Sequence, residues 1–157
     1  MTLSGRSLSI VFGALAASLW LAGGVLGQDD KDGARPEAGA MTTIRVIVGE
    51  TVLNATLDDS PAGQDFAALL PLDLTLSDYH GIEKVADLPR KLNTDGMPRS
   101  YAASTGDITY YAPWGNLAIF YKPFPSASGL VRLGAFDDPI DTLLKDGKTP
   151  VRIEAAD

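Results

Sequence analysis

GDITYYAPWGNLAIFYKPFPSASGLVRLGAF, residues 106–136, decides the fold of this chain. The stretch contains most of the aromatic residues that follow the apolar N-terminal segment, in three short runs (107–112, 116–122 and 130–136) separated by turn residues. Runs of this length, rich in aromatic and branched residues and bounded by Gly and Pro, predict β-strands. Because aromatic side chains bury large areas and also line ligand pockets, we expect this stretch to form the centre of the core and the wall of any binding site.

Strands are also predicted on either side of this stretch. Apolar and polar residues alternate over residues 43–48 and 52–57, and the Gly49-Glu50 pair between them predicts a β-hairpin. Residues 72–76 alternate in the same way, and residues 150–155 supply a last strand. We therefore expect a mainly β domain whose strands close into a barrel or pack as a sandwich.

Two short helices are predicted from their capping residues. Ser60 is a typical N-cap residue, and Pro61 suits the first helical position. The side chains that this helix is expected to bury are Phe66, Leu69 and Leu70. A second helix is expected to begin at Asp138-Pro139 and to end at Gly147. It would carry Ile140, Leu143 and Leu144.

Three segments lack a clear periodic pattern. Residues 82–92 are ambiguous, and Pro89 is expected to prevent a central strand in this segment. Residues 93–105 predict a long polar loop, and residues 123–129 predict a connection between strands. Long loops in a compact domain are often functional, so the first of these loops is a candidate for ligand contacts.

The N-terminal segment is typical of an export signal. Arg6 precedes a charge-free apolar run, and small residues before Gln28 predict cleavage after Gly27. The predicted organisation is a signal peptide (1–27), a flexible linker (28–41) and one domain (42–157), which makes the protein periplasmic or extracellular. Two alternatives remain open: the apolar run is retained as a membrane anchor, or Met41 is the true start and the protein is cytoplasmic.

Composition excludes several classes of function. A net charge of −7 over 157 residues disfavours nucleic acids and anionic membrane surfaces as partners. The chain has no cysteine, which excludes disulfides, thiol nucleophiles and thiolate metal sites, and His80 is its only histidine. We predict no cofactor, no metal ligand and no catalytic residue, although a cation site made of carboxylates alone stays possible. His80 is expected to be a surface turn residue.

The strings GDITYYAPWGNLAIFYKPF and SGLVRLGAF, with the earlier LLPLDLTLSDY and EKVADLP, resemble the bacterial cyclophilin-like domain family. The resemblance covers nearly all of residues 42–155 and implies a closed eight-stranded β-barrel with a helix capping each end. Some relatives occur beside flavodoxin-like proteins, which suggests a redox setting. Authentic cyclophilins carry an arginine within a Phe-His-Arg string, and no such string is present in this sequence. The resemblance therefore implies the barrel without the prolyl isomerase site.

The candidate ligand-binding residues come from the aromatic stretch and the polar loop before it. Tyr110 and Tyr111 lie on opposite faces of one predicted strand, so one should enter the core while the other reaches a rim. Arg99 beside Tyr101 could clamp a carboxylate or phosphate, and Asp107 could orient that arginine or accept a hydrogen bond from a ligand hydroxyl. The turn residue Trp114 should stay accessible and wall a groove with Tyr101 and one of the paired tyrosines. Asn116 is expected to tie down the turn around Trp114.

Each of these residues also has a purely structural explanation. The tyrosines could be barrel filling, and Arg99 could be a solvated loop charge. The sequence thus favours an exported module that binds a small molecule or an extended peptide. The alternatives are a degenerate peptidyl-prolyl isomerase, an accessory protein of a flavodoxin-type redox system, and a structural envelope protein.

Overall fold

A computed structural model describes residues 41–157 of the chain. This part contains ten strands, one α-helix and one 3₁₀ turn. The elements are β1 (Thr42–Val48), β2 (Thr51–Leu57), α1 (Pro61–Ala67), β3 (Leu72–Tyr79), β4 (Glu83–Asp87), β5 (Ser100–Ala103), β6 (Asp107–Tyr111), β7 (Asn116–Phe120), β8 (Phe124–Ser128), β9 (Leu130–Phe136), the 3₁₀ turn (Asp141–Leu144) and β10 (Thr149–Ala155).

Eight of the strands form a closed barrel in the order β1-β10-β3-β4-β7-β6-β9-β2. All the pairings are antiparallel, and β1 pairs with both β2 and β10, so the first and last strands of the domain lie side by side. Closure leaves no unpaired strand edge in the barrel, which removes a site of unwanted strand addition. The expected mainly β, eight-stranded closed barrel is confirmed, and the sandwich alternative is wrong.

The barrel interior is filled by the aliphatic and aromatic side chains that sequence alternation places inward. Tyr110 is paired with Leu117 of β7 and Val131 of β9, and only 1% of its surface is exposed. Its neighbour Tyr111 is paired with Asn116 and lies on the outer face of the same strands, half-buried. The predicted division of the two tyrosines between core and rim is confirmed, because successive side chains of a strand point to opposite faces.

Helix α1 begins as its capping residues predict. The Ser60 side chain accepts a hydrogen bond from the Gly63 N–H at 3.0 Å, and Pro61 occupies the first helical position. The helix packs against β2 and β9 and buries Phe66 completely. Leu69 and Leu70 follow the last helical residue and are only half-buried, so the prediction that the helix buries them is wrong.

The predicted second helix is wrong in length and type. It is a single 3₁₀ turn that buries Ile140 and Leu143 but leaves Leu144 41% exposed. The carboxylate of Asp138 does not cap it, because that carboxylate accepts hydrogen bonds from the backbone N–H and the side-chain amide of Asn54, at 2.7 and 3.0 Å. Ile140 stands at the cap position instead and offers no side-chain acceptor. Without a cap, four residues do not extend into a longer helix.

A second sheet lies outside the barrel where the sequence predicted a loop and a connection. Strands β5 and β8 pair with each other, with Tyr101 opposite Ala127 and Ala103 opposite Phe124. This pair, which we call the outer ribbon, covers the outer face of β7 and β9 and buries Ala118, Phe120 and Leu130 there. The expectation that Pro89 prevents a central strand in residues 82–92 is wrong, because β4 lies in this segment and pairs with both β3 and β7. The strand ends at Asp87, ahead of the proline, so no ladder hydrogen bond is lost.

The predicted signal peptide (1–27) and the predicted linker (28–41) lie outside the described residues, apart from Met41. The first strand of the barrel starts at Thr42, where the predicted domain begins. Within residues 41–157, no helix has both the length and the apolar composition needed to cross a bilayer.

Candidate functional site

A cleft of about 350 Å³ lies on the outer face of the barrel, between the barrel wall and the outer ribbon. Outward-facing side chains of β6, β7 and β9 form its floor, β8 forms one wall, and the end of β3 with the start of β4 forms another. Its lining residues are Tyr79, Glu83, Tyr111, Trp114, Asn116, Phe120, Phe124, Ala127 and Leu130. We call this cleft the aromatic cleft. Its volume and its mostly apolar lining with a few polar groups are typical of small-ligand sites.

Trp114 stands at one end of the aromatic cleft on the tight turn between β6 and β7. Gly115 has a φ of 76°, and its N–H donates to the Tyr111 carbonyl at 2.8 Å, so the turn needs a residue that tolerates a left-handed backbone. The indole is 64% exposed and makes edge-to-face contacts with Tyr79 and Tyr111, at centroid distances of 5.8 and 5.3 Å. The large apolar side chain is therefore held in place although it faces solvent.

A second cleft of about 230 Å³ adjoins the first on the other side of this tryptophan. The two clefts share Tyr79, Trp114 and Asn116 in their linings. The remaining walls of the second cleft come from β3 and β4 and are more polar, since Thr75, Ser77 and Asp87 lie there. Trp114 thus lies between the aromatic cleft and the more polar second cleft.

Glu83 is the acidic group of the aromatic cleft. It starts β4, opposite Phe120 of β7, and is half-buried. Within residues 41–157 its carboxylate has no hydrogen-bond donor and no ion-pair partner. Burial raises the pKa of Glu83 above its usual value, and the charge of nearby His80 opposes that rise. Glu83 is not among the predicted site residues because it lies in the ambiguous segment, and only its pairing with Phe120 places it in the cleft.

Asn116 contributes a second polar group without a partner. The residue is 6% exposed, and its side-chain N–H donates to the Leu117 carbonyl at 3.1 Å, which orients the amide. Its Oδ1 atom is buried and accepts no hydrogen bond from any described residue. The expectation that this side chain ties down the turn around Trp114 is wrong, since its bond is to its own strand. A buried acceptor without a donor costs free energy, and such atoms often face a ligand or water.

The polar loop residues predicted for ligand contacts are used inside the protein instead. The Tyr101 hydroxyl donates to Asp107 Oδ2 at 2.7 Å, and the Ser104 N–H donates to the same oxygen at 2.8 Å. Asp107 Oδ1 lies 3.7 Å from Nε of Arg132, whose guanidinium also pairs with Asp58 at 2.8 Å. Burial and the bond to Asp107 raise the pKa of Tyr101 to about 12. The Asp107 carboxylate therefore joins the outer ribbon to the barrel.

The structure brings three of the seven predicted site residues together in the aromatic cleft: Tyr111, Trp114 and Asn116. Arg99 is exposed and lies outside the lining, and the arginine beside Asp107 is Arg132, so the predicted pairing of Arg99 with Asp107 is wrong. Tyr101 belongs to the outer ribbon, and its hydroxyl donates to Asp107 at the start of β6. Tyr110 faces the barrel interior, where its hydroxyl accepts from the Leu92 N–H at 3.2 Å. Ligand binding by any of them stays a prediction.

Two further predictions concern catalysis and metals. His80 is an exposed residue of the turn after β3, as expected, with a φ of 53° and an edge-to-face contact to Tyr79. Residues 41–157 contain no cluster of three or more His, Asp or Glu side chains with the geometry of a metal site.

Comparison with known proteins supports the fold and is consistent with the motifs in the sequence. The model of a family described as the cyclophilin-like family matches residues 46–154. The chain is also similar to the solution structure of a hypothetical protein from Archaeoglobus fulgidus, with a TM-score of 0.60 at 18% identity over 77% of this chain and 99% of that one. At this identity the likeness concerns the fold alone. No curated protein matches the chain. The family match spans the barrel from β1 to β10, and the chain therefore belongs to the cyclophilin-like family.

Proposed function

We propose that the protein is a binding module whose aromatic cleft holds a small molecule or an extended peptide segment. The observation that carries the proposal is Trp114, which is 64% exposed yet oriented by two aromatic neighbours at the mouth of the cleft. Exposing an indole loses the free energy that its burial would release, so an ordered, exposed indole beside a cleft is typical of a binding surface.

The polar atoms of the cleft support the same proposal. Asn116 Oδ1 is buried without a donor, and Glu83 is half-buried without a partner among the described residues. Both groups would be stabilised by a ligand that supplies hydrogen-bond donors. The cleft has few polar groups among many apolar ones, which is the usual arrangement where polar groups orient a ligand and apolar ones supply affinity.

A fragment screen by ligand-detected NMR, with neutral, cationic and anionic aromatic fragments, tests this proposal on the full chain. We expect some fragments to bind, and we expect Trp114→Ala to weaken them about tenfold, the upper range for one aromatic contact. Val52→Ala is the matched control, because Val52 is 47% exposed on β2 and does not line the cleft. The proposal fails if no fragment binds, or if the two variants bind as the unchanged protein does.

The alternative of a degenerate prolyl isomerase has less support. Authentic cyclophilins use an arginine, and no arginine is among the residues that line the aromatic cleft within the described chain. We expect the protein to leave the cis–trans isomerisation of an X-Pro peptide uncatalysed, with a time constant of about tens to hundreds of seconds. A rate that rises in proportion to protein concentration would favour the isomerase instead.

We also propose that the protein is exported by its N-terminal segment. The support is the charge-free apolar run after Arg6 and the small residues before Gln28. Intact mass of the protein recovered outside the cytoplasm should correspond to a chain that begins at Gln28. A cytoplasmic protein that begins at Met41 would contradict export.

A further inference from the structure

We infer that the aromatic cleft selects organic ammonium cations, with Glu83 as the counter-charge and Asn116 Oδ1 as a second acceptor for N–H groups. The inference rests on the proposed binding function and names its ligand class. Four features of the cleft carry it, each judged among residues 41–157: an acid without a partner, the absence of a lining cation, a corner of aromatic rings, and an acceptor without a donor.

The first feature is the position of Glu83 among aromatic side chains. Its strand partner is Phe120, and Tyr79, Tyr111 and Trp114 line the same cleft. An ionised carboxylate taken partly out of water loses hydration energy, which only a donor or a cation can restore. No described residue donates a hydrogen bond to this carboxylate or forms an ion pair with it, so a cationic ligand would complete the site.

The second feature is that no described lysine or arginine lines the cleft, and the two lysines that follow Glu83 and Phe120 along the chain lie elsewhere. Lys84, the next residue, points to the opposite face, is 3% exposed, and donates from Nζ to the Lys145 carbonyl at 3.2 Å. Its ammonium also lies 3.4 Å from Asp78. Nζ of Lys122 lies 5.8 Å from the centroid of the Tyr121 ring. No lysine or arginine is among the cleft residues of the described chain, and His80 is the base whose charge acts on Glu83.

The third feature is the arrangement of the rings. Tyr79 and Tyr111 each contact Trp114 at interplanar angles of 85° and 84°, so the three rings form a corner. The face of an aromatic ring is negative and attracts cations, and groups of rings at right angles commonly surround ammonium groups. The net charge of −7 on the whole chain adds a long-range attraction for cations.

The fourth feature sets the length of the ligand. Along the paired strands, Glu83 lies opposite Phe120 and Asp87 lies opposite Asn116. The two strand positions are four residues apart, which is about 13 Å between their Cα atoms along an extended strand. A ligand with an ammonium group at one end and a donor at the other would reach both, whereas an anion would meet a carboxylate and an acceptor.

The test uses matched ligands on the full chain at pH 7.5 and constant ionic strength. Phenethylamine, 2-phenylethanol and phenylacetate share a ring and a short arm but differ in charge, and n-hexylamine with 1-hexanol provides an aliphatic pair. Affinities are measured by chemical-shift titration of the indole N–H resonance of Trp114. That resonance is assigned by its absence from the spectrum of Trp114→Phe. We expect each amine to bind at least tenfold more tightly than its alcohol, and phenylacetate to bind most weakly.

Glu83→Gln should abolish the preference, so that each amine and its alcohol bind with similar affinity. Glu50→Gln is the control, because it removes the same charge from the exposed β1–β2 turn and should leave the preference unchanged. Thermal melts of both variants establish that they fold. Equal binding of amines and alcohols to the unchanged protein, no binding of either amine, or the same loss in both variants would overturn the inference. The fragment screen decides the proposed function separately, since binding of neutral fragments would leave that function standing.

Discussion

Replacing Tyr110 by Phe removes one hydroxyl from the barrel interior and leaves the ring in place. Tyr110 is 1% exposed, and its hydroxyl accepts the N–H of Leu92, a residue that is itself 7% exposed, at 3.2 Å. This bond fastens the segment after β4 to the inside of β6. The ring keeps its packing beside Leu117 and Val131 in the variant, so the change isolates the hydrogen bond.

The expected loss of stability follows from the Leu92 N–H, which stays buried in the variant without its acceptor. A buried donor without an acceptor costs about 1–3 kcal/mol, whereas the ring contacts do not change. We expect Tyr110→Phe to lower the free energy of unfolding by about 2 kcal/mol. With a urea m-value of about 2 kcal/mol per M for a domain of this size, the unfolding midpoint should fall by about 1 M.

The assay is urea unfolding together with hydrogen exchange at the Leu92 amide, which should lose protection in the variant. Tyr111→Phe is a matched control, because its hydroxyl makes no hydrogen bond with any residue of the described chain and lies on the outer face. It should change stability by less than about 0.5 kcal/mol. Equal midpoints for the two variants, or unchanged protection at Leu92, would refute the reasoning.

Two other substitutions probe the barrel wall and the outer ribbon. Gly134→Ala would place a Cβ against the Thr56 carbonyl and 2.8 Å from the Leu57 Cα atom, both in the backbone of β2. We therefore expect the free energy of unfolding, measured in urea, to fall by about 3 kcal/mol. A fall below about 0.5 kcal/mol would mean that β2 and β9 can move apart at little cost. Tyr101→Phe removes the hydroxyl that donates to Asp107 and should cost about 1.5 kcal/mol at pH 7. The pKa of Tyr101 is raised to about 12 from its ordinary 10, so this difference should be full below pH 10 and should vanish as the pH rises to about 12. A difference between the two proteins that is the same at pH 7 and pH 12 would contradict this assignment.

Local patterns were sufficient for several elements. The alternation on either side of Gly49-Glu50 predicted the β1–β2 hairpin, and Ser60-Pro61 predicted the start of α1. The same period of two separated Tyr110 from Tyr111, and the turn position of Trp114 predicted its exposure. In each case the deciding interactions lie within a few residues of one another, so a short window of sequence contains them.

The candidate site depended on contacts between distant segments. Glu83 enters the aromatic cleft only because β4 pairs with β7, and Phe124 enters it because β8 folds over that face. The polar loop was expected to present Arg99 to a ligand, but pairing of β5 with β8 turned Tyr101 toward Asp107 and left Arg99 outside. No periodic pattern marks these pairings.

The sequence by itself therefore determined a mainly β domain, its first hairpin, the start of its first helix and the opposite orientation of its paired tyrosines. Only the tertiary structure decided the outer ribbon, the shortened 3₁₀ turn and the set of residues around the cleft. The physical reason is that backbone propensity and side-chain alternation act over a few residues. Strand pairing, and the hydrogen bonds that Asp138 accepts from the distant Asn54, form only when the barrel closes.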